Sequence, residues 1–187
     1  NKTFQLRPFW AAAFLLFGFG LISNADAQNK LAQGSYWEAV AEAKGLDWKW
    51  IYAVALKESR RSTDGIVHPW PWAINSSGGG CFCKTRAEAE ELIADLLERG
   101  YKYIDVGLMQ VNFGWQGHRV GGDIYKLLDL ETNISTGAQV LKEAINSTDN
   151  FALGLGRYHH WEDEKISLQY GNSVLAYVGV LESWSFE

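Results

Sequence analysis

Glu58 is the residue whose position most plainly promises chemistry. In the stretch Trp48 to Ser62, WKWIYAVALKESRRS, residues Ile51, Val54, Ala55 and Glu58 fall at i, i+3, i+4 and i+7, so a carboxylate shares the stripe that a helix would turn toward a core. Burial without a partner raises the pKa of such a group until it holds its proton, the state a general acid needs. The negative pole at the helix C-terminus pushes the same way. The competing reading turns Glu58 outward to pair with Lys57, Arg60 or Arg61. Asp64, in a polar loop, and Asp105, just before Gly107, are the nearest second carboxylates, and both read as structural or solvated. The run Gly107-Leu108-Met109-Gln110-Val111-Asn112, taken alone, reads as a buried turn in which glycine supplies backbone freedom and Leu108 and Met109 fill core. Cys81-Phe82-Cys83 holds both cysteines. Residues i and i+2 of an extended strand sit too far apart for a relaxed disulfide, so a kinked local disulfide and a pair of thiols both stay open. A metal set of Cys81, Cys83, His159 and His160 is the chemical rival, though neither half has a standard finger spacing. His68 and His118 fall in loops and read as surface residues.

These residues need elements to hold them. Ser35 is expected to cap a first helix running to about Lys44, with Tyr36, Val40 and Ala43 inward and Gly45 ending it. Asp47 then caps the helix carrying Glu58, and Ser62-Thr63-Asp64-Gly65 stops that helix and opens a loop. His68 to Asn75 and Cys81 to Lys84, around the turn Ser76 to Gly80, predict a β-hairpin whose first piece the prolines confine to an edge. Thr85 with Glu88 forms a capping box for a helix through Glu98, closed by Gly100. Tyr101 to Val106 is a strand or extended loop. Asn133 to Ile145 and Phe151 to His159 are expected to be helical, and Glu164 to Leu181 gives a longer helix with Ile166, Tyr170, Val174 and Val178 on one stripe.

The chain has 187 residues, 47% of them hydrophobic, enough for one domain with a real core. Its 9 Trp, 8 Tyr and 9 Phe exceed what a core of this size needs and suit a groove that stacks on sugar faces. A net charge of −5 argues against nucleic acid as a partner. Residues 1–27 read as a signal peptide, with Lys2 and Arg7, an apolar run from Trp10 to Ile22, and Ala25-Asp26-Ala27 as the cleavage site. The apolar run is too short for an ordinary membrane span. A single mature domain, 28–187, exported to the periplasm, is the expectation.

Glu58-Ser59 closing a helix, then Gly107-Leu108-Met109-Gln110, then Asn133-Ile134-x-x-Gly137, then Tyr158, is an ordered set that resembles the lytic transglycosylases of the soluble (SLT, goose-lysozyme-like) class, across Trp48 to Val178. The resemblance implies an α+β, mostly α, lysozyme-like fold with a small β-hairpin or sheet beside the active-site groove. It makes Glu58 the catalytic acid and Ser59, Met109, Gln110, Tyr158 and Tyr170 the substrate-binding residues. The Gln110 amide would donate to and accept from sugar hydroxyls or an N-acetyl group, and Tyr158 would hydrogen-bond near the carboxylate. Asn133, Ile134 and Gly137 would be mainly structural, Gly137 permitting close helix packing. The family's Ala-Tyr-Asn is here Arg157-Tyr158-His159, a departure at His159. That tripeptide and the Trp70-Pro71-Trp72-Ala73-Ile74-Asn75 hairpin look most like members attached to conjugation and type IV secretion systems.

The implied reaction breaks the β-1,4 bond between N-acetylmuramic acid and N-acetylglucosamine without water, with one carboxylate, no metal and no cofactor, and leaves a 1,6-anhydro ring. The expected partners are peptidoglycan strands and, beyond them, a secretion or conjugation machine. The alternatives are a goose-type lysozyme, which admits water, and a non-catalytic glycan-binding subunit of such a machine. The intact Glu58-Ser59 and Gly107 to Gln110 count against the second, because a pure binder needs no protonated acid.

Overall fold

Asp47 accepts a hydrogen bond from the Lys49 backbone N–H at 2.8 Å and so opens helix α2, Trp48–Ser59, which carries Glu58. The computed structural model describes residues 36–183; the expected signal peptide, its cleavage site and the Ser35 cap lie outside them. Ahead of α2 lies α1, Tyr36–Lys44, which buries Trp37, Val40 and Ala41. Tyr36 and Ala43, expected inward, are exposed, and the buried face is turned by one residue to seat the large Trp37 ring against Tyr52. In α2, Ile51, Val54 and Ala55 are fully buried as the spacing predicts. Each large aliphatic side chain so enclosed stabilises the fold by roughly 1.5–3 kcal/mol.

The helix ends sooner than expected, at Ser59, and Arg60–Thr63 (β1) pairs with Ile66–Pro69 (β2) across an Asp64-Gly65 turn. Both turn residues have positive φ, 52° and 79°, the backbone a two-residue hairpin requires. What reads as a helix stop and loop is therefore a hairpin, and Asp64 is one of its turn residues. The second sheet has the order β4-β3-β5-β6, all antiparallel: β3 is Ala73–Ser76, β4 Cys81–Phe82, β5 Ile104–Val106 and β6 Val111–Asn112. The predicted β3–β4 hairpin is present, but β3 is interior rather than an edge strand. Pro69 and Pro71 lie before it and leave its N–H groups available for pairing.

Helix α3, Arg86–Glu98, is capped by Thr85, which accepts from the Glu88 N–H at 3.2 Å as predicted, while the Glu88 side chain reaches one residue past the N-cap to accept from the Lys84 N–H at 2.7 Å; Gly100 lies just beyond the helix at φ 85°. A short α4, Phe113–Gln116, and two 3₁₀ turns, Gly117–Val120 and Ile124–Leu128, lead into α5, Leu130–Ile145. Then come α6, Phe151–Arg157, and α7, Glu164–Ser183. Helices α6 and α7 approach with almost no side-chain spacer: a Cβ on Gly156 would lie 1.8 Å from the Ser167 carbonyl oxygen, and one on Gly171 1.8 Å from that of Ala152. The buried face of α7 is Ser167, Tyr170, Gly171, Val174, Val178 and Leu181; Ile166, expected on it, is exposed on the first turn. The architecture is mostly α with a small antiparallel sheet, as expected. Cys81 and Cys83 are joined by a disulfide with Cα atoms 5.2 Å apart, closer than an extended i, i+2 pair because the strand ends at Phe82. The two thiols that a Cys2His2 metal set would use are thus bonded to each other.

Candidate active site

The turn between β5 and β6 is held at every residue. Gly107 takes φ of +80°, and a Cβ there would lie 2.3 Å from Asn133 Nδ2, so only glycine lets that side chain close over the turn. Asn133, 1% exposed on α5, donates to the carbonyls of Val106 and Leu127, both at 2.8 Å, and accepts from the Met109 N–H at 2.9 Å. Ser59 Oγ donates to the Leu108 carbonyl at 2.6 Å and accepts from the Trp70 N–H at 3.1 Å. The Tyr158 hydroxyl, from the end of α6, donates to the Met109 carbonyl at 2.6 Å. Gln110 sits at φ +47°, and its own amide steadies that turn by donating to the Ala73 and Gly107 carbonyls at 2.9 and 3.0 Å. Gly137 lies on α5 against this turn, where a Cβ would come within 2.5 Å of Met109 Sδ. Its close packing is thus with a side chain of the turn rather than with another helix.

Bolted to the turn through Ser59, the last residues of α2 place Glu58 beneath α7. Its side chain is 16% exposed. The Tyr170 hydroxyl donates to Glu58 Oε1. The His159 ring stacks on Tyr170, with centroids 4.7 Å apart and planes 5° from parallel, and brings Nδ1 to 3.9 Å from the same oxygen. Burial raises the Glu58 pKa from 4.5 to about 7; the charge of Asp105 adds to the rise, while the Tyr170 hydrogen bond and Lys57 moderate it. Burial, with His160 and Lys57, lowers the pKa of His159, favouring a neutral ring that does not offset the Glu58 charge. Burial and the Glu58 charge hold both Tyr158 and Tyr170 well above the usual phenol range, so each stays a donor.

The outward pairing that competes for Glu58 does not form. The Arg60 guanidinium lies over the Tyr177 ring, and that of Arg61 lies 4.4 Å over Trp70 while donating to the Phe82 carbonyl. Lys57 sits over the Tyr170 ring.

The structure brings Glu58, Tyr158 and Tyr170 together, with Gln110 on the adjoining turn. It corrects two of the expected substrate-binding residues. Ser59 and Met109 have no exposed surface, because Ser59 is the bolt between α2 and the turn and Met109 fills the space Gly137 leaves. It also narrows a third: the amide hydrogens of Gln110 are given to Gly107 of its own turn and to Ala73 of β3, which leaves only its Oε1 acceptor for a ligand. Two further residues belong to this cluster. His159 had a signal in its place beside Tyr158; Asp105 had one in the alternation Ile104-Asp105-Val106, a polar residue on the opposite face of a strand whose neighbours are both fully buried.

With Oε1 accepting from Tyr170, the Glu58 proton belongs on Oε2. A carboxylic acid with a pKa of about 7 can give that proton to a buried oxygen near neutral pH and take one back once ionised. Among the described residues no group of three or more His, Cys, Asp or Glu could hold a metal ion. The family model described as the transglycosylase SLT domain matches residues 35–177, well over half of the chain. No curated protein and no solved structure matches it.

Proposed function

The chain belongs to the transglycosylase SLT domain family of peptidoglycan lytic transglycosylases, and from that premise we propose that Glu58 is its single general acid and base in a non-hydrolytic cleavage. The observation that carries the reading is one carboxyl group held 16% exposed at the end of α2, with one oxygen fixed by Tyr170; that burial raises its pKa to about 7. The neutral acid protonates the oxygen leaving C1 of N-acetylmuramic acid at its β-1,4 bond to N-acetylglucosamine. The resulting carboxylate then takes the proton of the muramoyl 6-hydroxyl as that oxygen closes on C1, forming the 1,6-anhydro ring and regenerating the acid. The substrate's own acetamido group steadies the cationic centre between the two steps. In this scheme Tyr170 and Tyr158 orient the acid and the turn, and Gln110 Oε1 accepts from a sugar hydroxyl or N-acetyl N–H.

Digestion of purified sacculi followed by mass spectrometry tests the scheme: anhydromuropeptides are expected from the wild type and no soluble products from Glu58→Gln. Release by the Glu58→Gln protein would overturn the role of Glu58. A hydrolytic muramidase is the second reading, favoured by the partly buried Asp105 whose charge reaches Glu58. Reducing ends in the products would establish it.

The setting belongs to the same proposal. Residues 1–27 act as an export signal, the mature protein works in the periplasm, and it opens the wall locally for a secretion or conjugation apparatus. The support is the resemblance of Arg157-Tyr158-His159 and of the Trp70 to Asn75 hairpin to members of such systems. Among the described residues no helix is long and apolar enough to cross a membrane.

A further inference from the structure

The small sheet has two unlike faces. One cross-strand row, Ile74, Val106 and Val111, is almost wholly buried. The row on the other face, in register across the same three strands, is Asn75, Asp105 and Asn112. Asp105 is the middle member, and its two oxygens are taken separately: Asn112 Nδ2 donates to Oδ1 at 2.8 Å and Asn75 Nδ2 to Oδ2 at 3.3 Å. A carboxylate clamped between two neutral amides from neighbouring strands, with no ion pair to a Lys, Arg or His among the described residues, is fixed in place without being neutralised by them. The strand that carries it runs straight into Gly107 and the turn bolted to α2 and to Tyr158.

We propose that Asp105 is a second functional carboxylate of this site, a positioning residue held by Asn75 and Asn112 so that its negative charge acts on Glu58 and on the sugar ring that turns cationic during cleavage. The proposal rests on Glu58 being the acid. Tyr170 on α7 and His159 beyond α6 approach the Glu58 carboxyl directly, and Lys57 on its own helix, Asp105 on β5 and Tyr158 at the end of α6 are coupled to it electrostatically. Asp105 is the one carboxylate among them, and its charge registers at both Glu58 and Tyr158. Burial pushes the Asp105 carboxyl up as well, but the two amide donors pull it back. Asp105 is thus the carboxyl of the site with two amide donors on its oxygens, whereas Glu58 has the single Tyr170 donor on one.

The test is the pH–rate profile on purified peptidoglycan, read with thermal melting, for the wild type, Asp105→Asn, Asp105→Glu and Asn75→Ala. Asp105→Asn keeps the shape and removes the charge. Turnover should fall roughly 10- to 100-fold, and the alkaline limb, which reports loss of the Glu58 proton, should move to lower pH. Asp105→Glu should keep that limb near its wild-type position. Asn75→Ala, by making Asp105 harder to ionise, should move the limb the same way as Asp105→Asn but less, and it serves if Asp105→Asn does not fold. An unmoved limb with turnover within twofold of wild type in Asp105→Asn, or a lower Tm with unchanged activity per folded molecule, overturns the proposal. If Asn75→Ala is the variant that folds, an unmoved limb overturns it equally. Activity surviving in Glu58→Gln would instead sink the acid assignment, whatever Asp105 does.

Discussion

Tyr170 and Asp105 pull on the Glu58 proton in opposite directions, one by donating to the ionised form and the other by repelling it. Tyr170→Phe removes the donor, so the alkaline limb should move to higher pH, opposite in sign to Asp105→Asn, and turnover should drop because the carboxyl loses its fixed orientation. A limb that fails to rise in Tyr170→Phe would show that the phenol does not bond the ionised acid. The raised pKa also has a consequence for stability. Glu58 binds its proton more tightly folded than unfolded, so its contribution is present below pH 4.5 and is lost as pH rises through about 7. Glu58→Gln should therefore melt higher than wild type at pH 8, by on the order of 2–3 kcal/mol, and near wild type at pH 4. Equal melting at pH 8 would mean that the carboxylate is solvated after all. This acid was legible from sequence because i, i+3, i+4, i+7 spacing fixes which way a side chain leaves a helix. Its partners were not, because Tyr170 and His159 reach it only once α6 and α7 are packed.

At the scale of elements, the site depends on α2, α5 and α6 meeting one turn. Ser59 joins two of its neighbours with a single oxygen, donating to Leu108 and accepting from the Trp70 N–H. Ser59→Ala leaves the buried Leu108 carbonyl without its side-chain donor, while the Trp70 N–H keeps its bond to the Ser59 carbonyl at 3.0 Å, and should cost about 1–3 kcal/mol, seen as a lower urea midpoint at unchanged m-value. Activity should fall with it, although Ser59 has no surface to offer a substrate. Gly156→Ala should be worse, since backbone rather than a movable side chain occupies the space a Cβ would take. It should part α6 from α7 and so pull Tyr158 and Tyr170 out of register; near-native Tyr fluorescence and activity in that variant would contradict the packing. Helix starts at Asp47 and Thr85 were readable because capping is local chemistry. The end of α2 was misread because Asp64-Gly65 serves equally as a helix stop and as a hairpin turn, and only the pairing of Arg60–Thr63 with Ile66–Pro69 decides between them.

Across the whole molecule, the aromatic surplus divides between core and surface. Trp37 and Tyr52 pack edge to face inside, while Trp115, Tyr103 and Trp161 are more than half exposed. Composition could announce that surplus but not apportion it, since a ring contributes to a core or to a sugar-stacking surface by the same apolar face. The fold class was legible because period-3.6 stripes dominate the chain. The order of the sheet was not, because β5 and β6 are only three and two residues long and the pairing of β5 with β3 is settled by contacts distant in sequence. The helical body and the sheet share one core, so a glycan strand bound across the site should stabilise them as a unit. Glu58→Gln, which on the proposed chemistry binds without turnover, should therefore gain stability from an uncleaved glycan strand by mass action. At a ligand concentration about 100 times Kd the gain is roughly 2.7 kcal/mol, or a Tm rise of about 5–10 °C for a domain of this size. If Glu58→Gln shows no rise while wild type digests the strand, the groove is not preformed, and the site assembles only on the reacting sugar.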